Sequence, residues 1–92
     1  MENLEKSVNL FKSLGDETRL KIIKEIFDES KSVSTIAMNV GMTQSAVSHQ
    51  LQILKMSNIV NCERRGKAAF YSLSDEHVKT IVEQVFTHVA HK

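Results

Sequence analysis

The C-terminal stretch from Asp75 to His91 constrains this 92-residue chain more than any other part of it. Three of the four histidines, His77, His88 and His91, lie there behind an aspartate, Asp75. On a helix turning about 100° per residue, His77 and His88 return to nearly one bearing, and His91 follows a short turn later. Asp75 stands where an N-cap belongs, outside helical φ/ψ, so its carboxylate can turn toward the same side. One carboxylate and three imidazoles on a single stripe suit a tetrahedral site for a borderline divalent ion such as Zn²⁺. The plainer alternative is a packing helix whose histidines are only solvated.

The spacing adds a constraint that composition cannot. Eleven residues at roughly 1.5 Å rise separate His77 from His88 by about 16 Å, whereas the ligands of one zinc each lie about 2 Å from it. One chain therefore cannot close the site. Two antiparallel copies would bring Asp75 and His77 of one beside His88 and His91 of the other, twice by symmetry. The helix also carries an apolar stripe of Val78, Ile81, Val82, Val85, Phe86 and Val89, at the spacing of one packed face. The histidines lie about 100° around from its centre, which puts a metal at the edge of a packed helix pair.

The bulk properties agree with a small globular unit. Residues 1–92 make one domain, of a size whose core a dimer interface would reinforce. No apolar run approaches the length of a membrane span and no signal segment opens the chain, so a cytoplasmic protein without a membrane partner is expected. A single cysteine, Cys62, excludes an internal disulfide and any multi-thiolate site within one chain. It has no catalytic partner and reads as core filler. The net charge of +1 is unevenly spread: residues 31–73 hold five cations and one acidic residue, a net +4, and the remainder is acidic. That asymmetry is a weak sign of a nucleic-acid face.

Taken in order, Leu4, Val8, Leu10, Phe11 and Leu14 repeat at helical spacing and Gly15 supplies a stop. Asp16 caps a second helix that keeps Leu20, Ile23, Ile26 and Phe27 on one face through about Phe27. Asp28 to Lys31 read as a loop. Ser32 caps a short helix with Val33, Ile36, Ala37 and Val40 inward, Gly41 provides a positive φ for a tight turn, and Thr43 caps the next helix. There Val47, Leu51 and Leu54 form the buried side, while Ser45, Ser48, His49 and Gln52 form a polar stripe. Short or planar donors and acceptors of this kind suit base edges in a major groove, where a plain solvated face would carry more Lys and Glu than the one Lys55 near the end. A short helix, a glycine turn and such a helix make a helix-turn-helix. Ile59 to Arg64 and Ala68 to Leu73 then alternate as two strands joined at Arg65-Gly66-Lys67. Arg64, Arg65 and Lys67 place cations at the tip of a hairpin, where a wing meets phosphates or a minor groove.

The expected fold is therefore mainly α with a two-stranded β-wing: a winged helix-turn-helix of four helices, two strands and a fifth helix, forming a homodimer through its terminal helices. Nearly the whole chain resembles the ArsR/SmtB family of metal-sensing repressors. Leu14-Gly15-Asp16-Glu17-Thr18-Arg19 resembles that family's entry into its second helix, and Thr43-Gln44-Ser45-Ala46-Val47-Ser48-His49-Gln50-Leu51 with Leu54 resembles its recognition helix. Asp75-x-His77-x10-His88-x2-His91 matches its C-terminal motif for zinc or cobalt between subunits, and Arg64-Arg65-Gly66-Lys67 matches the wing more loosely. Cysteines that serve thiolate sensors of the family are absent from stretches such as Val33 to Val40.

The resemblance implies operator double-stranded DNA as partner, contacted by Thr43, Gln44, Ser45, Ser48, His49, Gln52, Lys55, Arg64, Arg65 and Lys67. It implies Zn(II) as the regulatory ligand of Asp75, His77, His88 and His91, with Co(II) as a second candidate and Ni(II), which often takes more ligands, as a poorer one. Metal binding would release DNA and derepress efflux or sequestration genes. Because a ligating imidazole must be neutral, metal affinity should fall as pH drops through about 6.5. A zinc hydrolase would need an open coordination position with a base beside it; a closed set offers neither, so no catalytic residue and no small organic substrate are expected. A structural zinc, or a vestigial site answering another inducer, remains the alternative.

Overall fold

Helix caps decide where most elements begin. The computed structural model describes residues 3–91; residues 1, 2 and 92 of the expected domain lie outside the described residues. Helix α1 runs Leu4–Leu14 and α2 Glu17–Glu25, the latter capped by Asp16, whose Oδ2 accepts from the Arg19 N–H at 3.0 Å. Gly15 ends α1 at φ −82°, donating to Phe11 O at 2.9 Å. Its small size is needed for closeness, since a Cβ there would stand 3.2 Å from that same carbonyl oxygen. Helix α2 stops short of Phe27, but the Ile26 N–H is still shared between Ile22 O and Ile23 O, and Ile26 stays in the core.

One element departs from the expected plan. Lys31–Ser32, in the expected loop and its cap, form strand β1, which pairs antiparallel with the second wing strand through Lys31↔Tyr71 and Ser32↔Phe70. The wing strands are β2, Val60–Arg65, and β3, Ala68–Leu73, and the sheet order is β1-β3-β2. The expected two-stranded wing is thus the major part of a three-stranded sheet. The first wing strand also starts and ends one residue later than expected, because Arg65 pairs with Ala68 and leaves Gly66-Lys67 as a two-residue turn. Gly66 takes its first central position at φ 63°, as a type II′ hairpin requires.

Helices α3, Val33–Val40, and α4, Gln44–Met56, are capped by Ser32 and Thr43, whose hydroxyls accept from Thr35 N–H and Ala46 N–H at 3.2 and 3.1 Å. Gly41 turns the chain between them at φ 72°. Helix α4 ends in a Schellman motif: Asn58 adopts φ 60°, its N–H bonds Lys55 O at 3.0 Å, and Ile59 N–H bonds Leu54 O at 2.9 Å. Ile59 and Leu54 are both fully buried, the apolar contact that accompanies this ending. Helix α5 runs Glu76–Ala90.

The core is where α2, α3, α4 and the sheet meet. Ile22, Ile23, Ile26, Ile36, Val47 and Leu51 are among its fully buried side chains. Cys62 is half-buried opposite Tyr71, whose hydroxyl pKa is pushed up by burial and then by the thiol. At the edge of this core Glu25 ties three elements together, its Oε1 accepting from Asn39 Nδ2 at 2.8 Å and from Lys31 Nζ at 3.3 Å. The Asn39 bond first, and Lys31 after it, hold the Glu25 carboxyl below the usual carboxylate range. A depressed folded-state pKa contributes stability that is present above the unfolded value and lost as pH falls through the folded one. Glu25→Gln is expected to cost about 1 kcal/mol at pH 7, with the difference vanishing as pH falls through the depressed Glu25 pKa; urea denaturation of both proteins from neutral to acid pH checks it.

Candidate nucleic-acid interface and metal half-sites

The two faces of α4 are sharply different. Val47, Leu51 and Leu54 are 0% exposed, while Thr43, Gln44, Ser45, Ser48, His49, Gln52 and Lys55 all lie at the surface. Beside this polar face a groove opens between the start of α3, the start of α4 and the wing, lined by Ser32, Ser34, Gln44, Ser48, Arg64 and Lys67. The structure thus brings two wing cations next to two recognition-helix side chains. From sequence Ser32 is expected only as a helix cap and Ser34 has no expected role, so neither is among the expected DNA-contacting residues. Only the fold over of β3 onto β1 sets them there, and no spacing signal reveals that.

Arg65 is placed differently. Strand alternation turns it to the other face of the wing from Arg64, where its Nε and Nη2 bond Glu63 Oε1 at 3.0 and 2.9 Å and Nη2 bonds Ser30 Oγ at 3.2 Å. Its guanidinium lies 4.5 Å from the centre of the Phe70 ring. Arg64 and Lys67 border the groove; Arg65 braces the sheet.

The donors of α5 fall into two separated pairs. Asp75 Oδ1 caps the helix, accepting from Val78 N–H at 2.9 Å, and leaves Oδ2 3.6 Å from His77 Nδ1. The Val78 N–H, opposed in part by desolvation, and the neighbouring His77 hold the Asp75 carboxyl below its ordinary value, so it is an anion at neutral pH, as a metal ligand must be. His77 is 92% exposed in its side chain. His88 lies in the last turn and His91 at the C-cap, both exposed. Among the described residues no three His, Cys, Asp or Glu side chains gather where a metal could bind. One chain thus carries the Asp75/His77 pair and, about 16 Å along the helix, the His88/His91 pair.

The apolar stripe between them is divided. Val78 and Val82 are buried against the chain's own core, whereas Val85 and Val89 are 49% and 55% exposed. Helix α1 leaves Leu4 and Phe11 bare, at 62% and 64%. Phe11, Leu14 and Leu20 face Ile81, Val85 and Phe86 across a cleft that is almost wholly apolar. The exposed Phe11 and Val85 on the two walls of this cleft make an apolar patch, of the kind that marks a protein interface.

Comparison with known proteins decides the family. A family model described as bacterial regulatory protein, arsR family, matches residues 16–61, half of the chain and all of the helix-turn-helix. The chain belongs to the ArsR/SmtB family. Its relatives include a cadmium resistance transcriptional regulatory protein, CadC homolog, from Staphylococcus aureus, 39% identical over 80 residues, which cover 86% of this chain and 66% of that protein. This chain thus spans slightly less than two thirds of that relative's length. The transcriptional activator HlyU from Vibrio cholerae is 33% identical over 82 residues, 89% of this chain and 76% of that one. Among solved structures, the homodimeric winged helix-turn-helix DNA-binding domain of a possible ArsR-family regulator from Mycobacterium bovis superposes with a TM-score of 0.90, at 26% identity over 95% of this chain and 81% of that one.

An ArsR-family winged helix is a transcription regulator and not an enzyme, and no described helix is long and apolar enough to cross a membrane. For this member the bare α1/α5 patch carries a direct expectation. Val85→Asp is expected to leave the domain folded by circular dichroism and to give a monomer in sedimentation equilibrium, with a dimer expected for the unaltered chain. A dimer that survives the charge would mean that the patch is not the interface.

Proposed function

We propose that this chain is a metal-responsive transcriptional repressor, a single domain over residues 1–92 acting in the cytoplasm. Its metal-free homodimer binds operator DNA and represses genes for metal efflux or sequestration; Zn(II), or Co(II), bound between subunits lowers that affinity. The observation that carries the proposal is the arrangement of α5. An anionic Asp75 with a free oxygen beside His77 stands at one end, His88 and His91 at the other, and a half-bare apolar stripe runs between. Antiparallel packing of two such stripes sets Asp75 and His77 of one protomer beside His88 and His91 of its partner. Bound metal would supply a fixed tetrahedral relation between the two helices.

The DNA side rests on the groove and the recognition face. Thr43, Gln44, Ser45, Ser48, His49 and Gln52 enter the major groove, and Lys55, Arg64 and Lys67 hold phosphates. Arg65 adds positive field while it remains bonded to Glu63. Lys67→Ala should reduce the slope of log affinity against log salt by about 1 and weaken all sequences alike, whereas Gln52→Ala should relax preference at one base position. Titrations of both variants at several salt concentrations check this.

The deciding experiment is fluorescence anisotropy of the dimer on DNA from its own promoter, with chelator and then with one Zn²⁺ per chain. A fall in affinity of roughly tenfold or more is expected, a coupling of about 1–3 kcal/mol. Asp75→Asn is the sharpest variant, because asparagine caps a helix as well as aspartate does but brings no anionic oxygen. It should preserve α5 and DNA affinity while abolishing the zinc response. A second reading is a regulator of the same family whose site is structural or vestigial; it is favoured by the kinship to an activator and would show DNA affinity unchanged by zinc.

A further inference from the structure

The end of α1 is joined to α4 by polar bonds. A groove lined by Lys6, Asn9 and Leu10 of α1 and by Met56, Ser57 and Asn58 lies open between them. Two connections join the last turn of α1 to α4, one at the middle of α4 and one at its C-cap. Arg19, on α2, donates from Nε to Ser13 O at 2.7 Å and from Nη1 to Gln50 Oε1 at 3.1 Å, with Nη2 3.4 Å from Lys12 O. Ser13, the one buried polar residue among those described, shares a hydroxyl hydrogen bond of 2.6 Å with Ser57 at the C-cap of α4.

The chemistry of the joint is specific. Ser13 O and Lys12 O are carbonyls of the last turn of α1, which lack intrahelical partners, and a planar guanidinium can serve them and a side-chain amide at once from fixed directions. Its own backbone N–H is tied to Asp16 at the start of α2. One side chain therefore bonds three helices together: α1, which carries the bare apolar face; α2; and α4, whose Gln50 is half-buried between the exposed His49 and Gln52.

We propose that Arg19 and Gln50 are positioning residues that lock the recognition helix to the dimer helix, so that subunit arrangement is transmitted to the spacing of DNA half-sites. This rests on α1 and α5 forming the dimer face and α4 reading DNA, and it does not depend on zinc. Without the joint the apolar dimer would persist, but the core that carries each α4 could tilt as a unit against α1 to follow a displaced half-site. Half-site spacing is a geometric property of a dimer, so discrimination among spacings reads the stiffness of this connection.

The test uses the full chain with chelator present. The duplex that the unaltered dimer selects from random DNA is compared with the same duplex carrying two extra central base pairs, which rotate one half-site by about 70°. The unaltered protein is expected to lose tenfold or more in affinity on insertion. Gln50→Ala, which leaves Arg19 on the α1 carbonyls, and Arg19→Lys, which keeps the charge without the fork, are each expected to lose less than threefold, with dimerisation unchanged. Gln50→Glu, an acceptor still, should restore the full penalty. Should Arg19→Lys fail to fold, the two Gln50 variants carry the test alone. The proposal is overturned if Gln50→Ala pays the same insertion penalty as the unaltered protein, whether its overall affinity is kept or lowered, because Gln50 is then structural or an ordinary contact. It is equally overturned if the unaltered dimer shows no penalty. Selection of no duplex at all would instead bring down the DNA-reading role itself.

Discussion

Everything in this fold depends on one helix burying a narrow ridge while keeping its opposite side in water. Val47, Leu51 and Leu54 of α4 sit at zero exposure among side chains from α2, α3 and the sheet. Their burial fixes both the rotation and the depth of the helix, so the side that carries Ser45, Ser48, His49 and Gln52 has no freedom to turn inward. Truncating a fully buried leucine costs about 2–5 kcal/mol, a large part of the stability of a domain this small. The recognition face is thus held by groups that never touch DNA. Both ends of the helix are closed with equal care, by the Thr43 cap and by the Schellman ending at Asn58.

The other helices divide their apolar surface between the chain and something outside it. Helix α5 spends Val78 and Val82 on the core and leaves Val85 and Val89 uncovered; α1 leaves Leu4 and Phe11. A chain of this length buries a smaller share of its surface than a larger one, so an apolar patch that could be covered by a second copy is a stabilising opportunity as well as a binding surface. The solved winged helix from Mycobacterium bovis, which has the same fold, is homodimeric.

Much of this was legible in the sequence because it rests on short-range chemistry. Asp16, Ser32, Thr43 and Asp75 each cap the helix that follows, since a cap needs only a side-chain oxygen and an N–H three residues on. The buried and polar stripes of α4 are a matter of period. What was not legible is long-range or too short to have a period. Two residues, Lys31 and Ser32, cannot show alternation, so β1 is visible only through its pairing with Tyr71 and Phe70. The ending at Asn58 uses a non-glycine residue at positive φ, a rarer choice that carries no strong signal. A one-residue change of turn length moved the hairpin register, and alternation then sends Arg64 and Arg65 to opposite faces, a distinction that a cluster of three cations conceals. The partnership of Arg19 with Gln50 spans 31 positions of sequence and is set by tertiary packing alone.

On the proposed dimer, the donors and the apolar stripe of α5 check each other. Sliding one helix past its partner by a single residue moves the half-sites by about 1.5 Å, far beyond the roughly 0.2 Å within which metal–ligand distances are held. Hydrophobic packing alone tolerates more, because it is non-directional and scales with area. The stripe would therefore bring two copies together and select an approximate register, and the four ligands would accept only one arrangement within it. A subunit interface with that property allows arrangements of similar burial that differ in geometry, which is the condition for a small ion to shift the balance. The same coupling must act in reverse: DNA that favours the other arrangement weakens metal binding by the factor that metal weakens DNA binding. The stiffness of the link between α1 and α4 then limits how much of that coupling reaches the recognition helices.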